Sequence, residues 1–164
     1  MSLELPVKAV VNSESIELSI DPRLTLAEFV RDRLGLTGTK LSCEMQVCGA
    51  CTVLVDGQPV SACSFLAVDI DGRDVTTIEG LGTERSLHPI QQAFIDEFAM
   101  QCGFCTPGFV LMTKALLDER PDPTSDEIIE YMEGNICRCT GYRSILRAVL
   151  HASEMLGAGE GGDS

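Results

Sequence analysis

The chain has 164 residues, 45% of them apolar, and its 12 basic and 25 acidic side chains give a formal net charge of −13. That length fits one medium domain or two small ones, and no apolar run approaches the roughly 18 residues that a membrane-crossing helix needs. The acidic excess is spread over both halves, so nucleic acid and anionic lipid surfaces are poor candidate partners.

The amino end, MSLELPVKAV, lacks the long apolar core of a secretory signal, and a cytoplasmic location is expected. Residues 7–11 and 15–20 have strand character and are joined by Asn12, Ser13 and Glu14, which predicts a hairpin. A helix is expected over residues 25–34. Thr25 and Glu28 form a capping box, Leu26, Phe29, Val30 and Leu34 share a face, and Gly35 ends it. Next come Cys43, Cys48 and Cys51 in the pattern C-x4-C-x2-C, with Cys63 as a more distant fourth. This is the plant-type ferredoxin spacing, in which three thiolates on one tight loop and one from a following strand hold a 2Fe–2S cluster. Further strands are expected at 52–55, 60–65 and 75–78, with Asp56 and Gly57 as a hairpin turn. Two strands, a helix, a ligand loop and more strands is a β-grasp order.

The pattern turns helical after the linker at residues 79–86. Ile90, Ala93, Phe94 and Phe98 predict one face of a first helix, and Pro107 is placed to open a second that runs to about Arg120. A third helix starts at the capping box Thr124 and Glu127 and ends near Gly134 and Asn135, and a fourth covers about residues 142–156. Cys102 and Cys105 then precede the second helix, and Cys137 and Cys139 precede the fourth. Helix amino ends carry partial positive charge, which favours an anionic centre there. Residues 136–151 also hold Arg138, Arg143 and Arg147 with no acid. Surface ion pairs account for these arginines as well as a cluster's negative charge or a partner's phosphate does. The Gly-rich and acidic tail, residues 157–164, has nothing to bury and is expected to be disordered.

All eight cysteines thus divide into two quartets. A secreted disulfide scaffold is usually shorter than this chain. A four-thiolate zinc site remains the alternative, although zinc turns usually pair cysteines as C-x2–4-C twice, whereas the first quartet packs three ligands into nine residues. His88 and His151 are the only histidines, and neither stands beside a cysteine, so a Rieske centre lacks its imidazoles. Domains below about 80 residues commonly need a metal or disulfide staple, which makes a structural role for each centre expected as well. No nucleophile and base constellation, G-x-G-x-x-G or phosphate-binding loop occurs, so this chain offers no nicotinamide, flavin or nucleotide site.

Three stretches, CEMQVCGACTVLVDG from Cys43, QCGFCTPG from Gln101 and GNICRCTGY from Gly134, together resemble the iron–sulfur small subunit of molybdenum hydroxylases, the xanthine oxidase family. The resemblance covers about residues 5–155 in order and spacing. It implies an α+β chain: an amino-terminal β-grasp, plant-type ferredoxin domain over 1–80 and a carboxy-terminal four-helix bundle domain over 81–156, each with a 2Fe–2S cluster. It also implies a large partner chain with molybdenum–molybdopterin, in the cytosine dinucleotide form, and a medium chain with FAD, assembled as a dimer of heterotrimers. Cys102, Cys105, Cys137 and Cys139 would hold the cluster nearer molybdenum, with Gln101 and Cys139 close to the pterin. Cys43, Cys48, Cys51 and Cys63 would hold the cluster facing the flavin.

From the residues alone, Gln101 reads as a cap for the helix it precedes, although its amide both donates and accepts and so suits a pterin edge. Gly49 and Gly103, inside the ligand turns, are expected where positive φ or close approach is needed. Two departures from the family pattern are Ser42 and Gln46, where glycine is common. If position 46 has positive φ, glutamine there carries strain. The reading is electron relay within a molybdenum hydroxylase whose substrate pocket lies on another chain, and a freestanding double-cluster ferredoxin is the alternative.

Overall fold

The computed structural model describes residues 4–83 and 85–160. It opens with the expected hairpin, β1 (Leu5–Val11) and β2 (Glu14–Ile20), in antiparallel register from Leu5 opposite Ile20 to Val11 opposite Glu14. Asn12 and Ser13 make the two-residue turn with φ of 50° and 69°, the left-handed pair whose twist matches that of the flanking strands. The sheet is completed by β3 (Thr52–Val55), β4 (Gln58–Ser61) and β5 (Asp74–Thr76), in the order β2-β1-β5-β3-β4. β1 and β5 run parallel and the other pairs antiparallel. The expected helix is present as α1 (Leu26–Glu28), continued by a wider π-helical turn over Phe29–Arg33. Its capping box is formed: the Glu28 N–H donates to Thr25 Oγ1 at 3.2 Å, and the Thr25 N–H to Glu28 Oε2 at 2.9 Å. Leu26, Ala27, Phe29 and Val30 bury against Val7, Val53 and Val75 of the sheet.

The strand expected over residues 60–65 ends instead at Ser61. Beyond it the backbone is committed elsewhere: Ala62 O accepts from the Ala27 N–H, Phe65 O accepts from the Leu26 N–H, and the Ala62 N–H donates to Cys51 O. These bonds fold the chain back under α1 and leave Cys63 in a turn, not in a strand. The strand expected to reach Ile78 likewise stops at Thr76, and Ile78–Gly80 is a 3-10 turn.

The helical half consists of α2 (Pro89–Asp96), α3 (Thr106–Glu119), α4 (Ser125–Met132) and α5 (Arg143–Glu160). Ile90, Ala93 and Phe94 of α2 share one core with Ala148, Val149 and Ala152 of α5. Phe98 does not join that face. The helix stops at Asp96 because the chain must reverse to bury Ala99, whose N–H donates to Phe94 O, and Phe98 takes φ 51° with 81% of its surface exposed. α5 continues past Leu156 to Glu160, so residues 157–160, expected to be disordered, are helical: extending an existing helix adds a hydrogen bond per residue with no new nucleation. Residues 161–164 lie outside those described.

α3 is buried on nearly every side, which sets it apart from its neighbours. One side carries Phe109, Val110, Leu116 and Leu117 into the helical core, while Leu111 and Ala115 pack on Leu54 of β3. The two halves are therefore joined by a hydrophobic seam. Leu111, 1% exposed, lies at its centre. Leu111→Ala is expected to cost about 2–5 kcal/mol. Because the seam couples the halves, hydrogen-exchange protection of the β1–β2 amides and of the α5 amides should fall together in this variant; loss of protection confined to the helices would contradict the coupling.

Candidate metal centres

The loop between α1 and β3 carries Cys43 and Cys48, β3 is entered at Cys51, and the turn after β4 returns Cys63. Glu44 and Gln46 have φ of 53° and 60°, and Gly49 of 67°. Left-handed residues at alternate positions curl backbone N–H groups into one concavity, the arrangement that receives anions. The Val47 N–H lies 3.4 Å from Cys43 Sγ. The backbone N–H of Met45 first, then that of Val47 and the Cys48 thiol, bring the Cys43 thiol down to about 6. Burial first, and then the Cys63 thiol, push the Cys51 thiol up to about 12 against the Cys63 N–H, which works downward. Gln46 thus adopts the conformation in which glycine avoids strain. Its Oε1 accepts from Ser64 Oγ at 3.0 Å, a tie between the ligand loop and the residue after Cys63.

The second quartet lies at the amino end of α3 and in the loop between α4 and α5. Cys105 occupies the cap position of α3, where no side chain satisfies the first N–H groups. Cys139 Sγ lies 3.5 Å from Cys102 Sγ. Burial pushes the Cys105 thiol up to about 12, helped by its hydrogen bond with Cys137. Cys102 is lowered by the Phe104 N–H and then by Cys139, which is itself raised by that contact with Cys102. For Cys137, burial works upward, but the Thr140 hydroxyl and N–H outweigh it and the net direction is down.

Within each quartet the thiols influence one another in pairs, Cys43 with Cys48, Cys51 with Cys63 and Cys105 with Cys137, and Cys102 with Cys139 at 3.5 Å. Among the described residues, no three His, Cys, Asp or Glu side chains gather tightly enough to hold a single metal ion. Two pairs suit a centre with two metal atoms and two thiolates on each, and a soft, all-sulfur donor set ringed by backbone N–H groups fits an anionic iron–sulfur unit.

The structure also brings the two quartets together, which the sequence did not disclose. The Ile136 N–H donates to Cys48 O at 2.9 Å, and the Asn135 side chain, 5% exposed, donates through Nδ2 to Gly49 O at 3.2 Å. Thr52 Oγ1 donates to the same carbonyl at 2.8 Å. Gly49 has no room for a side chain, since a Cβ would stand 2.5 Å from the Asn135 amide; one on Gly108 would stand 2.3 Å from Gly49 O.

Gln101 is exposed, makes no side-chain hydrogen bond among the described residues and does not cap α3. Of the three arginines, Arg147 pairs with Glu97 at 3.0 Å, whereas Arg138 and Arg143 stand exposed beside the quartet and form no ion pair among the described residues. His88 caps α2 by accepting from the Ile90 N–H at 3.2 Å, whereas His151 Nδ1 is buried 3.5 Å from Glu97 without a hydrogen bond.

The two halves correspond to two known families. Residues 9–76 match the 2Fe-2S iron-sulfur cluster binding domain, and residues 77–150 match the 2Fe-2S binding domain. The chain is 48% identical over 147 residues to the nicotine 6-hydroxylase small subunit of Paenarthrobacter nicotinovorans, covering 90% of this chain and 88% of that one. It is 42% identical over 151 residues to the nicotinate dehydrogenase small FeS subunit of Eubacterium barkeri, covering 92% and 96%. Among solved structures, quinoline 2-oxidoreductase from Pseudomonas putida 86 superposes with a TM-score of 0.90 at 41% identity, over 96% of this chain and 98% of that one. Aldehyde oxidoreductase from Desulfovibrio gigas gives 0.92 at 39% identity, over 94% of this chain but 17% of the other.

A ferredoxin-type sheet half followed by a helical half, both of the 2Fe–2S binding kind, is the architecture of a two-centre electron-transfer protein. The chain belongs to the family of small iron–sulfur subunits of molybdenum hydroxylases, in which it serves electron transfer while the catalytic site lies on a larger partner chain.

The close approach of Gly108 to Gly49 makes a direct test of the junction. Gly108→Ala must displace one turn from the other and is expected to lower stability by about 1–3 kcal/mol, measured by thermal denaturation. An unchanged melting temperature would mean that the turns are not in contact.

Proposed function

We propose that Cys43, Cys48, Cys51 and Cys63 hold one 2Fe–2S cluster and that Cys102, Cys105, Cys137 and Cys139 hold the other. Clusters at these sites supply one-electron storage. The chain supplies two thiolates per iron, backbone N–H groups that offset the negative charge, and a fixed distance between the two ligand sets. One observation carries the relay reading: the Ile136 N–H bonded to Cys48 O at 2.9 Å. A ligand residue of one quartet and the residue adjoining a ligand of the other thus share a hydrogen bond.

On this reading, residues 1–80 and 81–156 are two units with different neighbours. The large chain, carrying molybdenum–molybdopterin in the cytosine dinucleotide form, faces the helical unit near Gln101 and Cys139. Exposed Phe98, Met100 and Phe104 frame that face, and an aromatic held outside the core in a left-handed conformation is a poor investment for an isolated chain. Met45 and Val47, 70% and 56% exposed, lie within the first ligand loop and meet a chain carrying FAD. The assembly is a dimer of such heterotrimers in the cytoplasm, a reducing compartment that keeps eight thiols available for iron. The relatives' names include nicotine, nicotinate, caffeine and quinoline, which is consistent with substrate choice residing on the partner.

The chain purified anaerobically in its complex should contain about four iron and four acid-labile sulfide, with two distinct 2Fe–2S electron paramagnetic signals on reduction. A colourless, zinc-loaded chain would sink this assignment. Gln101→Leu should keep both signals yet slow substrate-driven reduction of the helical-half centre, because the pterin loses a hydrogen-bond partner. Unchanged single-turnover reduction would remove Gln101 from the pterin contact, and purification as a lone, redox-active monomer would favour the freestanding carrier.

A further inference from the structure

The loop Cys137-Arg138-Cys139-Thr140-Gly141-Tyr142 does more than present two thiols. Gly141 and Tyr142 have φ of 66° and 67°, two left-handed residues in succession that turn the chain back on itself before α5. The turn lays the Tyr142 phenol oxygen where it accepts the Cys137 N–H at 3.0 Å, and the Tyr142 N–H donates to Thr140 Oγ1 at 3.3 Å. The Tyr142 ring is seated edge-on against Phe109, centroids 6.3 Å apart at 68°, so the turn is anchored to the buried helix α3.

The consequence falls on Thr140. With the Tyr142 N–H occupying one lone pair, the single hydroxyl proton of Thr140 is left for Cys137 Sγ, 3.1 Å away. The Thr140 N–H reaches the same sulfur at 3.4 Å. A thiolate bound to metal can only accept, which fixes the direction of both bonds. Cys137 is 6% exposed, so they act where water does not compete. Nothing equivalent serves the first quartet: among the described residues, its thiols receive backbone N–H groups and one another, and no side-chain hydroxyl or amide donates to them.

We propose that Thr140, held by Tyr142, is a tuning residue whose hydroxyl raises the reduction potential of the helical-half cluster relative to the ferredoxin-type cluster. The proposal rests on the cluster assignment given above. Negative charge on a ligand sulfur increases when its cluster takes up an electron, and a donor aimed at that sulfur stabilises the reduced state more than the oxidised one. Hydrogen bonds around the ligands are among the levers that set such potentials.

The test is an anaerobic redox titration of the assembled complex followed by electron paramagnetic resonance, with Thr140→Val and Thr140→Ser beside the wild type. Valine keeps the branched shape and removes the proton; serine keeps the hydroxyl. Thr140→Val is expected to lower the midpoint of one signal only, by about a tenfold change in the one-electron equilibrium (about 59 mV). Thr140→Ser should leave both midpoints near their wild-type values, and iron content should be equal in all three. Should the valine chain fail to take up iron, Thr140→Ala, which also lacks the proton but has no branch to accommodate, provides the same comparison. Two signals at wild-type potentials in the chain without the hydroxyl, or an equal shift of both, would overturn the proposal. Absence of iron from the wild type would instead overturn the cluster assignment beneath it.

Discussion

Everything about this fold turns on the close docking of two ligand turns, the 48–49 segment of one half against the 135–136 segment of the other. Gly49 O receives Asn135 Nδ2 and Thr52 Oγ1, and Cys48 O receives the Ile136 N–H. Both carbonyls belong to a loop whose left-handed residues already direct its N–H groups inward, so its carbonyls point outward and need partners. Thr52 of the sheet half serves Gly49 O in part, and the helical half provides the rest from a segment that adjoins Cys137 and Cys139. Neither turn satisfies its backbone alone. Two glycines, Gly49 and Gly108, are required at the contact because any side chain would separate the carbonyl from its donors. The hydrophobic seam of Leu54, Leu111 and Ala115 holds the same two halves together from behind.

Charge is the second constraint, and the two sites meet it by different means. On the proposed ligand assignment, four thiolates around each diiron unit leave an anion to be compensated. In the sheet half this falls to backbone N–H groups in a strained loop, with Gln46 in a left-handed conformation tied to Ser64. In the helical half the first turn of α3 lacks a side-chain cap, and a thiol stands where a capping oxygen normally would, which lets the unpaired N–H groups serve the centre. Arg138 and Arg143 stand close by in sequence, while Arg147 is spent on Glu97. A single run of three arginines thus divides into a structural ion pair and two cations left at the edge of the site.

How much of this could be read from the chain depends on whether the signal was local. The hairpin and the Thr25 and Thr124 capping boxes were legible because each is written in residues a few positions apart; the short cysteine turns are equally local, whereas the approach of Cys105 to Cys137 is not. Phe98 fitted the periodicity of α2 and was still misplaced, because the burial of Ala99 ends the helix and periodicity carries no information about that. The early end of β4 was hidden for a similar reason: residues 62–65 look like a strand, but their hydrogen bonds go to α1 and the cysteine loop. Position 46 was recognised as costly for glutamine if left-handed, and it is left-handed; the Ser64 tie that accompanies it links residues 18 apart and has no sequence signature. The meeting of Asn135 with Gly49, 86 residues apart, was beyond reach for the same reason.

The arrangement also explains how one module serves both as a separate chain and as part of a longer one. The quinoline 2-oxidoreductase chain that it resembles is covered almost completely by this fold, whereas in the aldehyde oxidoreductase the same fold occupies 17% of the chain. The junction between the quartets is wholly internal and uses no terminus, so connecting the chain to a larger partner or leaving it free does not alter the spacing of the two ligand sets. What a separate chain must add is an interface in place of the covalent link. Phe98, Met100 and Phe104, exposed beside the second quartet while every aromatic of the core is buried, stand where such an interface would keep the partner in register with the site.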